Sequence, residues 1–185
     1  MTIATSPQRD AARAIVLALA LATSACGPAG EPAPRPAASG AEQTFEGTWN
    51  ATGTRRAIPL GGERRGSIVH LQGTMLLAGA GRPGVGFRAE VIALGDTQTG
   101  LVGRAVWTDE RGEQVFSVIK GEGTATQNHI EGTLLGGTGR YAGATGSYEF
   151  AWQFVIETED GSIQGRAIGL KGRVQLGTPG TASAR

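Results

Sequence analysis

Few side chains in this sequence have a type and spacing that could support catalysis. Glu46 is the one acidic residue that we single out as a candidate general acid or base, although acidic residues in strands are mostly solvated. His70 and His129 lie far apart, and no cysteine lies between or after them to complete a zinc site. No Gly-x-Ser-x-Gly elbow occurs. The sequence therefore predicts no metal site, no bound cofactor and no catalytic triad.

One arginine falls among residues whose alternation predicts a buried face. Arg166 shares alternate positions with Leu170 and other apolar residues of the last apolar run. A buried guanidinium requires a carboxylate or a ligand anion, so an inward Arg166 would mark a binding site. The alternative is a bulge around Gly165 and Gly169 that turns Arg166 outward.

Aromatic residues are the other candidates for contact with a ligand. Trp107, Phe150 and Trp152 occupy inward-predicted positions, where they could either line a pocket or simply form the core. With Arg166, they complete the set of candidate ligand-lining residues.

Behind these side chains, the chain from residue 44 to residue 176 reads as consecutive strands. Gly-, Asp- and Glu-rich turns separate eight apolar-alternating segments, and none of them has helical periodicity. Eight strands in succession predict an antiparallel barrel or sandwich, and closure into a barrel would leave an interior for side chains or one small ligand. The predicted strands are Thr44–Ile58, Gly66–Ala78, Val85–Gly95, Leu101–Asp109, Glu113–Thr124, Asn128–Leu135, Gly146–Thr158 and Ser162–Leu176.

A glycine-rich motif lies between the sixth and seventh predicted strands. It reads Gly136-Gly137-Thr138-Gly139-Arg140-Tyr141-Ala142-Gly143-Ala144-Thr145-Gly146, with five glycines in eleven residues. This density predicts a tight connection with positive φ angles and close backbone approach. It is not a phosphate-binding loop, because no Lys-Ser/Thr pair and no predicted helix follow it.

This motif, followed by Tyr148-Glu149-Phe150, resembles the GGTGxYxGAxGxxxF signature of the allene oxide cyclase and dirigent barrel superfamily. The resemblance implies an eight-stranded antiparallel barrel with an interior ligand cavity, often assembled as a trimer, in which the motif forms a structural strand–turn–strand corner. The plant cyclases carry a catalytic Glu and a water site with Pro and Asn on their first strands. Residues 44–52 lack that arrangement, so the resemblance implies the fold and the cavity but not the active site. The motif residues that carry it are Gly136, Gly137, Thr138, Gly139, Tyr141, Gly143 and Gly146.

The first 25 residues predict a secretory signal peptide. Arg9 and Arg13 precede a nine-residue apolar run that is too short to span a bilayer, and small residues follow it. Cys26, the only cysteine, stands at the cleavage point and resembles the lipid-attachment cysteine of bacterial lipoproteins. The alternative is ordinary cleavage that leaves a free thiol.

The segments on either side of the barrel predict how it is held. Residues 26–43 are rich in proline and alanine and predict an unfolded tether, and residues 177–185 predict a disordered tail. Gly27 after the cysteine is typical of an outer-membrane lipoprotein, if the host has two membranes. We therefore expect a lipid-anchored protein of the cell envelope that faces the periplasm, or a secreted one if Cys26 is not lipidated.

Charge excludes one class of partner. The chain has 17 basic and 16 acidic residues, and removal of residues 1–25 takes away two basic residues and one acidic residue, which leaves 15 of each. A neutral domain has no electrostatic reason to bind nucleic acid. The leading hypothesis is a non-catalytic barrel that binds a small apolar molecule. The alternatives are a cyclase- or isomerase-like enzyme and an interaction module that forms a trimer through the outer face around Phe116 and Val118.

Overall fold

The computed structural model describes residues 41–79, 84–123 and 127–177. The predicted signal peptide, Cys26 and most of the predicted tether and tail lie outside these residues. All eight predicted strands are confirmed, with ends within two residues of the prediction, and a single 3₁₀ turn at Gly139–Tyr141 lies between the sixth and the seventh. The strands are β1 Glu42–Pro59, β2 Arg65–Gly79, β3 Val85–Asp96, β4 Gly100–Asp109, β5 Gln114–Gly123, β6 Gln127–Gly137, β7 Thr145–Glu157 and β8 Ser162–Gln175.

The strands form one closed antiparallel barrel. Each strand pairs with the next, and β8 pairs with β1, so every strand has a partner on both sides. Alternation along the strands decides which residues face inward; in β3, for example, Phe87, Ala89 and Val91 are buried while the residues between them are exposed. The all-β fold class predicted from the sequence is confirmed.

Aromatic side chains fill the middle of the barrel lumen. Of the ten aromatic residues in the chain, all but Phe116 join one connected set of ring contacts. Neighbouring rings in this set lie 4.8–6.4 Å apart, mostly tilted or edge-to-face, which is the geometry that aromatic pairs prefer. Side chains therefore occupy the centre of the lumen. From one end to the other, the contacts run Phe154, Trp152, Trp49, Phe150, Tyr148, Trp107, Phe87 and Tyr141.

The two ends of the barrel differ in what surrounds them. The glycine-rich motif, residues 136–146, borders one end, which we call the motif mouth. Glu42 and Gln175 pair at this end, so the barrel begins and finishes beside the motif. The opposite end, the far mouth, is bordered by the β1–β2, β3–β4, β5–β6 and β7–β8 connections.

Candidate functional site

Close backbone approach explains one of the motif glycines, Gly137, and a left-handed φ explains another, Gly139. At Gly139, φ is +53°, and a Cβ atom would lie 1.9 Å from Glu113 Oε1. At Gly137, a Cβ atom would lie 2.0 Å from the carbonyl oxygen of Gln114. The carbonyl oxygen at Gly137 belongs to the backbone of the β4–β5 hairpin and leaves no room for a side chain, whereas at Gly139 the left-handed φ is the stronger reason for glycine. The remaining motif glycines, Gly136, Gly143 and Gly146, also have positive φ.

Two hydrogen bonds fix the corner to the start of β5. The Thr138 N–H donates to the Gln114 carbonyl at 2.8 Å, and the Gln114 N–H donates to Thr138 Oγ1 at 2.8 Å. Thr138 directly follows the last residue of β6. Its backbone N–H and its side-chain oxygen therefore extend the pairing between β5 and β6 by one residue. The threonine and the glycines of the motif therefore lie in the corner that connects β6 to β7.

A buried carboxylate clamps the corner from the other side. The Asp109 side chain has no exposed surface, and its Oδ1 accepts the N–H groups of Arg111 at 2.8 Å and of Glu113 at 2.9 Å. Its Oδ2 accepts a hydrogen bond from Arg140 and another from the Tyr141 hydroxyl at 3.2 Å. Desolvation raises the pKa of Asp109, but these hydrogen bonds outweigh it and hold the pKa below its ordinary value. The clamp is therefore charged at neutral pH.

Inside this corner, the motif mouth contains an apolar cavity of about 190 Å³. Phe87 and Trp107 are the last rings of the packed lumen below it, and Tyr141 closes one side at 5.9 Å between its ring and that of Phe87. An engineered apolar cavity of about 150 Å³ is known to bind benzene, so this space suits a ligand of one aromatic ring or a short alkyl group. The residues that line the cavity include Phe45, Phe87, Trp107, Leu134, Tyr141 and Ala144.

The aromatic candidates divide between this cavity and the core. Trp107 lines the cavity. Phe150 and Trp152 lie deeper and pack on Trp49, with ring centroids 6.0 and 5.0 Å away. Both are about 95% buried, so the structure places them in the barrel core, which was the alternative left open for them.

The prediction of an inward Arg166 is wrong. The register between β7 and β8 shifts where Glu149 pairs with Lys171 but Ala151 pairs with Ile168. Gly169, at φ +65°, takes up the extra residue in this bulge, and the inward positions change from odd to even numbers beyond it. Arg166 is exposed and donates from Nε to Gln153 Oε1 at 2.9 Å on the outer surface.

Glu46 also lies on the outer face and not in the lumen. It lines an outer groove of about 940 Å³ on β1, β8, β7 and β6, together with Glu131, Glu149, Lys171 and Arg173. Lys171 bonds to Glu149 at 3.0 Å, and this hydrogen bond holds the pKa of Glu149 below its ordinary value. A carboxyl group on this outer face lies outside the lumen and is not within reach of a substrate held there, as a general acid or base must be.

The two histidines lie on the outer surface of the barrel. His70 Nε2 lies 2.8 Å from Glu90 Oε1, and His129 Nε2 lies 3.6 Å from Glu131 Oε1. Within the described ranges, no cluster of three or more His, Cys, Asp or Glu residues could hold a metal ion. The same part of the chain contains no helix long and apolar enough to cross a bilayer.

Sequence reasoning missed Asp109 and Arg140, the ion pair that closes the motif mouth. A signal was present, because Leu101, Ala105 and Trp107 occupy alternate inward positions of β4 and Asp109 is the next inward position. An acidic residue at a buried strand end requires donors, and the turn Glu110–Gly112 supplies some of them.

Comparison with known proteins identifies no relative of this chain. No family model, no curated protein and no solved structure matches the chain.

Proposed function

We propose that the protein is a non-catalytic, lipid-anchored barrel of the bacterial cell envelope that binds a small, uncharged, apolar molecule in its motif mouth. The cavity of about 190 Å³ carries the proposal, because aromatic and aliphatic side chains form most of its wall. The packed lumen limits the ligand to about the size of one ring. The resemblance to the allene oxide cyclase and dirigent superfamily, which remains a prediction, agrees with a ligand site inside a barrel.

The proposed tether joins the lipid-attachment cysteine to the first strand of the barrel. Cys26 and the first residue of β1, Glu42, are separated by 15 residues. A proline-rich chain spans about 3.1 Å per residue, so such a tether would reach about 45 Å. Since β1 begins at the motif mouth, the proposed tether would join the barrel sequence at the end that holds the cavity.

Toluene tests the binding part of the proposal. A dissociation constant of 1 mM corresponds to about 4 kcal/mol, or about 0.6 kcal/mol for each of the seven carbon atoms of toluene, well below the ceiling of about 1.5. We expect millimolar or tighter binding by ligand-observed NMR on the chain as the expression host processes it. Ala144→Leu places a larger side chain in the cavity and should weaken toluene binding by about tenfold or more.

The matched control is Ala151→Leu, the same substitution between the buried residues Phe150 and Trp152 of β7, on the outer face of the barrel. It should leave toluene binding unchanged. Failure of the unmodified chain to bind toluene at millimolar concentration, or equal binding by Ala144→Leu, would contradict the proposal.

Lipid attachment needs its own test. Cells that express the chain are fed an alkyne-tagged fatty acid, and we expect the label on the unmodified protein and none on Cys26→Ala. Label retained by Cys26→Ala would place the fatty acid at another position, and label absent from both proteins would leave a secreted barrel without an anchor; either result would contradict lipid attachment at Cys26.

A specific surface favours a second candidate function, self-association. Ile68, Leu94 and Val102 pair across β2, β3 and β4 and form an apolar row on the outer face, with 52–61% of each residue exposed. Beside this row, Phe116 and Val118 of β5 are half-buried on the outside. Exposed apolar patches of this kind mark contacts with another protein. Sedimentation should then show an oligomer that Leu94→Lys dissociates, and a monomer at high concentration would exclude this function.

The cyclase-like enzyme remains the least supported of the three hypotheses. It requires an ionisable group at the bottom of an apolar cavity, and Glu46, the nominated residue, lies on the outer face. If the protein nevertheless turns over a small apolar substrate, Glu46→Gln should leave the rate unchanged.

A further inference from the structure

The far mouth contains a second cavity, on the other side of the packed aromatic rings. Its volume is about 350 Å³, which falls within the range of small-molecule sites. Val69, Leu101 and Phe154 give it an apolar wall, and Ser67, Thr97 and Asn128 add hydroxyl and amide groups. This cavity is therefore larger and more polar than the one in the motif mouth.

Two of the residues that line this cavity are arginines. Arg55 lies on the inward face of β1, with its guanidinium carbon 5.2 Å from the centre of the Phe154 ring. Its side chain is 28% exposed, and it forms an ion pair with Glu157. Arg65, on the neighbouring strand β2, also lines the cavity, at its rim.

The charges around the cavity do not cancel. Asp96, the acidic residue in the lining, is neutralised by Arg64, which donates to it from Nε at 3.1 Å and from Nη2 at 2.6 Å. Glu157 neutralises Arg55 in the same way. Among the described residues, no carboxylate forms an ion pair with Arg65. The cavity wall therefore has one positive charge without a counter-charge.

From this arrangement, we propose that the far mouth binds a small organic monoanion, a carboxylate with an apolar tail. The tail packs on Val69, Leu101 and Phe154, and the carboxylate pairs with Arg65, where a guanidinium can form two parallel hydrogen bonds. A single uncompensated charge favours a monoanion over a doubly charged phosphate ester, whose second charge would meet Asp96 and Glu157 without a free cation. This site is separate from the motif mouth and does not depend on the function proposed for it.

Octanoate is the probe, with 1-octanol as its uncharged counterpart, and binding is measured by calorimetry on the chain as the expression host processes it. Arg65→Gln removes the free charge from the cavity rim, and we expect it to weaken octanoate binding by about tenfold. Arg56→Gln is the matched control, because Arg56 is the exposed neighbour of Arg55 on the outer face of β1. This control should bind octanoate as the unmodified chain does, and 1-octanol should bind equally to all three proteins.

Three results would overturn the assignment. The first is no binding of octanoate to the unmodified chain at millimolar concentration. The second is equal octanoate affinity with and without Arg65, or an equal loss of 1-octanol binding, which would show that charge recognition is not involved. The third is loss of octanoate binding in Ala144→Leu, which would place the anion in the motif mouth instead.

Discussion

Asp109→Asn tests whether the buried carboxylate is what holds the motif corner in place. The asparagine keeps one oxygen for the N–H groups of Arg111 and Glu113. Its NH₂ group replaces Oδ2, the oxygen that accepts hydrogen bonds from Arg140 and from the Tyr141 hydroxyl. The amide N–H groups of the asparagine would then face the donors of Arg140 and Tyr141. The substitution thus removes one charge pair and one hydroxyl hydrogen bond while the side-chain volume stays the same.

The expected loss follows from these two contacts. A hydrogen bond to a charged group contributes about 1.5–3 kcal/mol when buried, but Arg140 is 37% exposed, and solvent screening reduces its share to about 1 kcal/mol. The Tyr141 hydroxyl adds about 1 kcal/mol. We therefore expect the free energy of unfolding at pH 7 to fall by about 2 kcal/mol, and the melting temperature by about 8 °C for a domain of this size.

The pH dependence provides an independent check on the same residue. The pKa of Asp109 is lower in the folded protein than in the unfolded chain, where an aspartate has a pKa of about 3.9. Its stabilising contribution is thus complete above pH 5 and is lost as the pH falls through the folded pKa. The difference in unfolding free energy between the unmodified protein and Asp109→Asn should narrow when urea unfolding is repeated at pH 3.

The matched control for this prediction is Asp160→Asn in the β7–β8 turn. Asp160 is exposed and accepts the Ser162 N–H at 3.0 Å, a bond that asparagine keeps, so the loss should stay within about 0.5 kcal/mol. A loss below about 0.5 kcal/mol for Asp109→Asn, or a difference that does not change with pH, would refute the clamp.

Three further predictions concern the corner and the core. Gly137→Ala should destabilise the barrel by about 3 kcal/mol or more in a denaturant titration, because the new Cβ would lie 2.0 Å from the Gln114 carbonyl oxygen. The control is Gly86→Ala, whose new Cβ meets nothing within 4 Å and which should leave the free energy of unfolding unchanged. Tyr148→Phe should cost about 1–2 kcal/mol, because it orphans Ser117 Oγ, which lies 2.8 Å from the Tyr148 hydroxyl, and adding Ser117→Ala should recover most of the loss. Burial raises the pKa of Tyr148 to about 12. A titration of tyrosinate absorbance should therefore show one hydroxyl that ionises near that pH. Ionisation of both tyrosines near pH 10 would contradict the burial of Tyr148.

The fold was accessible from sequence because its signals are local. Strand alternation and turn residues repeat along the whole domain, so each strand could be placed without knowledge of its neighbours. The motif glycines were interpretable for the same reason, since backbone freedom is a property of the residue itself.

The candidate site was less predictable because it depends on register and on distant contacts. One bulge at Gly169 reverses the side of the sheet on which Arg166 lies, and its exact position is not encoded by alternation alone. Arg55, a cation that does line the lumen, lies beyond the segment of β1 where apolar alternation is clear. Asp109 and Arg140 are 31 residues apart, so only the folded corner brings them together.

The most direct test of the central proposal is a crystal structure of the protein under xenon pressure. Xenon enters apolar cavities and is located by its anomalous scattering. We expect a xenon atom in the motif mouth, in contact with Phe87, Trp107 and Ala144, and we expect it to be absent in Ala144→Leu. A motif mouth without xenon, or one that holds only ordered water, would contradict a binding site for small apolar molecules.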